Sequence, residues 1–124
     1  MSRVGRWMPS AIWSSIILIA TSIPGRLLRG APVIHGADKV VHAILYGTLS
    51  YFVWYALTDV EPGGGRRMAI VLATLALFAA LDEWHQQFIP GRSMDVADWL
   101  ADMAGASVVL TLSRTAPWRR GPVS

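Results

Sequence analysis

Asp38, His42 and Tyr46 lie four residues apart, Asp82, Glu83, His85 and Gln86 fall within five positions, and Asp98, Asp102 and Gly105 recur at helical spacing. On helices, Asp38, His42 and Tyr46 stack along one stripe, Asp82, His85 and Gln86 along a second, and Asp98, Asp102 and Gly105 along a third. Carboxylates beside an imidazole can move protons, accept bonds from hydroxyls and amines, or hold a divalent cation through oxygen and nitrogen. Lys39 and Arg92 are the cations placed to meet phosphate or carboxylate. The candidate pocket is therefore Asp38, Lys39, His42, Tyr46, Asp82, Glu83, Gln86, Arg92, Asp98 and Asp102. There is no HExxH metal motif and no activating motif around Ser93, and the absence of cysteine excludes disulfides and thiolate metal sites. No catalytic residue is assigned on this basis. No cofactor is expected, and a divalent cation is the alternative that the ligand set leaves open.

These residues need elements to hold them, and the composition says what kind. The 124-residue chain is 53% hydrophobic and 15% charged, with six Trp. Soluble domains usually carry about 25% charged residues, and one this small has too much surface to hide so much apolar side chain. The bilayer is the natural solvent. The net charge of +3 comes without a basic run, so nucleic acid is not an expected partner. Residues 7–25 and 40–58 are each 19 positions free of Asp, Glu, Lys and Arg, close to the roughly 20 that cross a hydrocarbon core. Residues 68–89 and 94–113 read as two further spans, each apolar at one end and polar at the other. The expected architecture is all-α: one membrane domain over 1–124, a four-transmembrane-helix bundle. Its links carry Gly, Pro and Arg, notably Gly63–Gly65 and Pro90-Gly91.

Span order places the polar groups together. The end of span 1, the start of span 2, the end of span 3 and the start of span 4 share one membrane face. On that face fall Arg26, Arg29, Asp38, Lys39, His42, Asp82, Glu83, His85, Gln86, Gln87, Arg92, Asp95, Asp98 and Asp102. Placing both termini in the cytoplasm puts seven Lys/Arg inside and four outside, the favoured sense. The polar face is then extracytoplasmic. Asp102 lies 12 residues before Arg114, roughly 18 Å of helix, so it sits well below the headgroups. Ionisable groups at such depth face a bundle interior or a watery cavity. Small residues Ala97, Ala101 and Gly105, and Ala69, Ala73, Ala76 and Ala80, offer ridges for close helix contact. The first span also resembles a signal peptide, with Arg3 and Arg6, an apolar stretch, then Ala20 and Ser22. Its length, with Pro9 and Trp13, reads as a retained anchor.

Plainer readings stand beside the functional ones. Asp38 is placed to cap span 2, Lys39 to snorkel, Tyr46 to pack, His85 to lie at the interface, and Ser93 to cap span 4. Arg92 is an anion ligand or the partner of Asp98 or Glu83. The Trp residues read mostly as a membrane belt. A solvated loop accounts for one or two of Asp82, Glu83, Asp98 and Asp102, but not for all four across two helices.

The series Asp38-Lys39-x-x-His42, Tyr46, Asp82-Glu83-x-x-Gln86, Pro90-Gly91-Arg92 and Asp98-x-x-x-Asp102-x-x-Gly105 resembles the VanZ-like family of small bacterial membrane proteins, over nearly the whole chain. That family is named for a member associated with low-level teicoplanin resistance. Asp102 stands where the family pattern usually carries Asn, and Val109 where it often carries a small residue. The resemblance implies a multi-pass protein of the bacterial plasma membrane with a role in the cell envelope or in antibiotic resistance. The favoured expectation is a binding module for an envelope lipid, a lipid-linked cell-wall precursor or a glycopeptide-type ligand, with anionic lipid among its partners. The alternatives are a membrane-embedded hydrolase using carboxylates and His42, metal-dependent or not, and a packing element of an envelope complex.

Overall fold

Hydroxyls are the first obstacle to a membrane helix, since Ser and Thr bring donors that lipid cannot satisfy. Here they bond back one turn along their own helix. Ser14 donates to Ser10 O at 2.7 Å, Ser15 to Ala11 O at 2.9 Å, Thr48 to Ile44 O at 2.8 Å, Thr74 to Ile70 O at 2.8 Å and Thr111 to Ser107 O at 2.8 Å. The helices they belong to are seen in a computed structural model that describes residues 2–25 and 36–116. Arg26, Arg29, Arg119 and Arg120 lie outside the described residues. Among the described residues there are four helices and no strand: α1 (Arg3–Thr21), α2 (Ala37–Ala56), α3 (Gly64–Gln86) and α4 (Val96–Thr115).

The helix starts differ from the sequence expectation for local reasons. Ser2 caps α1, its hydroxyl accepting the Gly5 N–H at 3.1 Å, so this helix begins four residues before the charge-free stretch. Gly36, at φ 81°, opens α2, and Asp38 sits in the first turn rather than at the cap. A carboxylate there still favours the helix N-terminus. Asp95, not Ser93, caps α4 through an Oδ1 bond from the Ala97 N–H at 2.9 Å. Gly91, at φ 75°, turns the chain between α3 and α4. Gly25 packs directly on it: its N–H donates to Pro90 O at 2.8 Å, and a Cβ there would strike the Gly91 carbonyl.

Packing sorts the residues by helical period. Val71, Leu75 and Ala79 on α3 and Ala106 and Leu110 on α4 form the core with Ile17, Tyr46, Leu49, Val53 and Trp54. The same two stripes continue into Asp82, Glu83 and Gln86 on α3, and into Asp102 and Asp98 on α4, all buried. So the buried seam is apolar at one end and acidic at the other. Outside, the bundle exposes Ile12, Ile16, Ile44, Leu77, Leu81, Leu100, Val108 and Leu112. Exposed apolar residues around buried carboxylates invert the order of a soluble domain.

The most extensive helix contact is α2 with α4, centred on Gly47 and Gly105. A Cβ on Gly105 would collide with the Ala43 carbonyl oxygen. Of the α3 alanine ridge, Ala69, Ala73 and Ala80 are exposed and Ala76 is half-buried with its carbonyl bonded to Trp99, while Ala79 is the fully buried alanine. Nor are the tryptophans mainly a belt. Trp7 and Trp84 are exposed, but Trp13 donates to Leu45 O at 2.8 Å and Trp99 to Ala76 O at 3.0 Å, stitching helices together. Trp54 is buried beneath the Arg67 guanidinium, 3.9 Å from its ring centre.

By length and apolarity, α3 and α4 are each long and apolar enough to cross a membrane. The sequence expectation of four spans is thus met for these two helices.

Candidate functional site

Helix geometry brings three polar layers together at one end of the bundle. Outermost is Lys39, whose ammonium donates to Asp38 at 3.0 Å, to Asp95 at 2.9 Å and to Asp98 Oδ1. Asp38 and Asp95 are open to solvent, whereas the Asp98 side chain is 13% exposed. Asp95 precedes α4, and its carboxyl is held below the usual aspartate range by the Lys39 hydrogen bond first and by the Ala97 N–H second.

One turn deeper, His42 Nδ1 lies 2.7 Å from Asp102 Oδ1, and His42 Nε2 lies 3.7 Å from Asp98 Oδ2. Asp102 is fully buried, and its other oxygen, Oδ2, has no hydrogen-bond partner. Glu83 faces this layer from α3. It accepts from Gln86 Nε2 at 3.2 Å and from the Asp95 backbone N–H at 3.1 Å, which fixes the start of α4 against α3. One ligand atom from each of His42, Glu83 and Asp98 lies within 4.8 Å of the others.

The innermost layer is Asp82. Its carboxylate accepts from Tyr46 Oη at 3.0 Å and from Thr21 Oγ1 at 2.7 Å, so both oxygens are satisfied. Thr21 is the participant that sequence reasoning missed. It lies between Ala20 and Ser22, residues that look like a cleavage-site pattern, and nothing in their spacing links α1 to α3.

Arg92 stands apart from the carboxylates. It donates to Ile23 O at 3.0 Å and Ala20 O at 3.3 Å, closing the end of α1 rather than pairing with Asp98 or Glu83. His85 is exposed, so the buried α3 stripe is Asp82, Glu83 and Gln86. The structure thus brings together Lys39, His42, Tyr46, Asp82, Glu83, Gln86, Asp98 and Asp102. Asp38 lies at the rim, and Arg92 lies on the adjoining turn.

Six of the eight acidic residues belong to this end. At the other end Asp59 pairs with Arg6 at 2.9 Å and Glu61 with Arg66 at 3.4 Å. The site end is therefore the one with an excess of carboxylate. Beside it, a pocket of about 190 Å³ opens between α3 and α4, lined by Ala80, Glu83, Met94, Asp95, Val96 and Trp99.

A family model described as VanZ/LLP1 matches residues 3–116, and the chain belongs to that family. No curated protein and no solved structure matches it. Family membership and the two apolar helices together point to a membrane protein.

Proposed function

We propose that the chain crosses the bacterial plasma membrane four times, with both termini cytoplasmic, and that its acidic outer end binds an amphiphilic envelope ligand. That ligand is an envelope lipid, a lipid-linked cell-wall precursor or a glycopeptide-type molecule. One observation carries this reading: beside the acidic end, an almost wholly apolar pocket opens between α3 and α4, lined by Ala80, Met94, Val96 and Trp99 together with Glu83 and Asp95. Such a shape suits a ligand with an apolar body and a hydroxyl- or amine-bearing head. Lys39 and Arg92 have protein partners, as do both oxygens of Glu83 and of Asp95, so a ligand's hydroxyl or amine would share these carboxylates with their present donors. The acids also join helices, Glu83 to the start of α4, Asp98 and Asp102 to α2, and Asp82 to Thr21 and Tyr46, which is what the packing-element alternative requires.

The hydrolase alternative is favoured by the His42–Asp102 pair at 2.7 Å. In that arrangement a carboxylate orients an imidazole whose second nitrogen, 3.7 Å from Asp98 Oδ2, is the one a general base would use.

The ligand reading is tested in nanodiscs of defined lipid. Phosphatidylethanolamine, which carries an amine, should raise the melting temperature above that in phosphatidylglycerol, and Glu83→Gln should remove the difference. A preference for phosphatidylglycerol would sink the carboxylate-based reading. Reporter fusions test the topology: those after Pro62 and at the C-terminus should read cytoplasmic, and those near Ala31 and Arg92 outside. An outside signal after Pro62 would overturn the four-span arrangement.

A further inference from the structure

We infer that His42, Glu83 and Asp98 form a divalent-cation site, with Asp102 as the positioning residue for its imidazole. The site goes beyond the ligand reading, since it needs only these side chains, although Glu83 belongs to both.

Each ligand comes from a different helix, α2, α3 or α4, and one ligand atom of each lies within 4.8 Å of the other two. Ligands about 2.0–2.1 Å from a tetrahedral Zn²⁺ are separated by about 3.4 Å, so a small closure of the three side chains completes the set. The tautomer is also right. As a carboxylate, Asp102 accepts the Nδ1 proton of His42 at 2.7 Å, which leaves the Nε2 lone pair free. This is the carboxylate–histidine–metal arrangement that orients ligating histidines in known sites. That lone pair sits 3.7 Å from Asp98 Oδ2. The gap is too long for a hydrogen bond and suits two ligands of one ion.

The charge balance calls for positive charge at this place: Asp82, Glu83, Asp98 and Asp102 are all buried, and Lys39 reaches only Asp98 among them, through Oδ1. Asp98 Oδ2, the oxygen facing His42, is left for an ion. One imidazole nitrogen with two carboxylates favours Zn²⁺ or Mn²⁺ over the all-oxygen shells preferred by Mg²⁺ and Ca²⁺. Three protein ligands leave a position open for water or a small ligand.

The experiment is metal analysis of the full chain, purified in detergent without chelator, with ZnCl₂, MnCl₂, MgCl₂ and CoCl₂ as probes. Expected are close to one Zn²⁺ or Mn²⁺ per chain, a rise in melting temperature on adding either, and no rise with MgCl₂. Co²⁺ should give the visible d–d absorption of a four- or five-coordinate nitrogen–oxygen site. His42→Ala and Glu83→Gln should weaken binding at least about 100-fold, and Asp102→Asn about 10- to 100-fold, the range for residues that support a ligand. Asp59→Asn, at the far end of the bundle, should bind normally. Circular dichroism establishes whether each variant is folded, and the unsubstituted protein decides the matter where one is not. Folded wild-type protein that takes up no metal and shows no thermal response overturns the site. Stabilisation by phosphatidylethanolamine in that metal-free protein would leave the ligand reading standing. Bound Zn²⁺ without a lipid preference would remove the ligand reading and keep the site.

Discussion

Arg92 donates from Nε to the carbonyl oxygen of Ile23 at 3.0 Å, tying the turn before α4 to the chain just past α1. A second bond, Nη2 to Ala20 O at 3.3 Å, reaches the last turn of α1, where carbonyls lack donors from their own helix. Charge-assisted bonds of this kind are worth about 1.5–3 kcal/mol. Arg92→Ala should therefore lower thermal stability in detergent by about that amount and reduce abundance in membranes. Arg92→Lys should recover part of it, because lysine keeps the charge and loses the planar fork. Normal abundance with lost ligand binding would instead place Arg92 at the ligand.

Asp82 offers a second test, because Thr21 and Tyr46 each hold one of its oxygens. Removing either donor leaves a buried carboxylate oxygen unsatisfied, at a cost of about 1–3 kcal/mol. Thr21→Val and Tyr46→Phe should each destabilise within that range. Adding Asp82→Leu to the double variant should restore much of the loss, since an apolar trio no longer buries an unmet charge. Thermal melts of the four proteins check this. No rescue would mean that Asp82 has a partner beyond these two.

Much of this end was legible in the sequence, and its limits are physical. Span order alone predicted that His42, Asp82, Glu83, Asp98 and Asp102 share one face, and the contacts among α2, α3 and α4 agree. Helical period predicted the stripe through Asp98 and Asp102, and Gly105 as a close contact, because these are intervals within one helix. What stayed hidden depends on rotation between helices. Glu83 rather than His85 turns inward, Ala79 rather than Ala80 is buried, Thr21 meets Asp82 and Arg92 turns to α1. Spacing fixes a residue's place on its own helix but not the azimuth of that helix against its neighbours.

The two glycines of the α2–α4 contact should differ in a graded way. A Cβ on Gly105 would collide with the Ala43 backbone carbonyl, which cannot move without shifting α2. A Cβ on Gly47 would meet Val109 Cγ2 at 2.9 Å and Gly105 O at 3.2 Å, and the valine can rotate. Overpacking typically costs about 1–3 kcal/mol, so Gly105→Ala should fall at or beyond the top of that range and Gly47→Ala nearer the bottom. Gly47→Ala combined with Val109→Ala should recover stability. Equal losses at the two positions would show that α2 and α4 slide apart as rigid bodies.

Lys39 provides the last test, because its three carboxylates differ in exposure. Asp38 is 63% exposed, Asp95 45% and Asp98 13%. Lys39→Met should act mainly by leaving Asp98 without its ammonium partner. With Lys39 itself 34% exposed, the loss should lie between the surface and buried limits, about 1–3 kcal/mol. Lys39→Met combined with Asp98→Asn should recover most of it, whereas Asp38→Asn alone should change little. The pH dependence has a definite sign. Asp95 is held below the ordinary aspartate value by Lys39, so its stabilising part is fully present above about pH 3.9, the unfolded value. It is lost as pH falls through the lower value of the folded state. Melting temperature followed downward from pH 5 should therefore drop less steeply in Lys39→Met than in the unsubstituted protein. A steeper drop in the variant would mean that the ammonium does not hold Asp95 ionised and that the outer layer is not organised around Lys39.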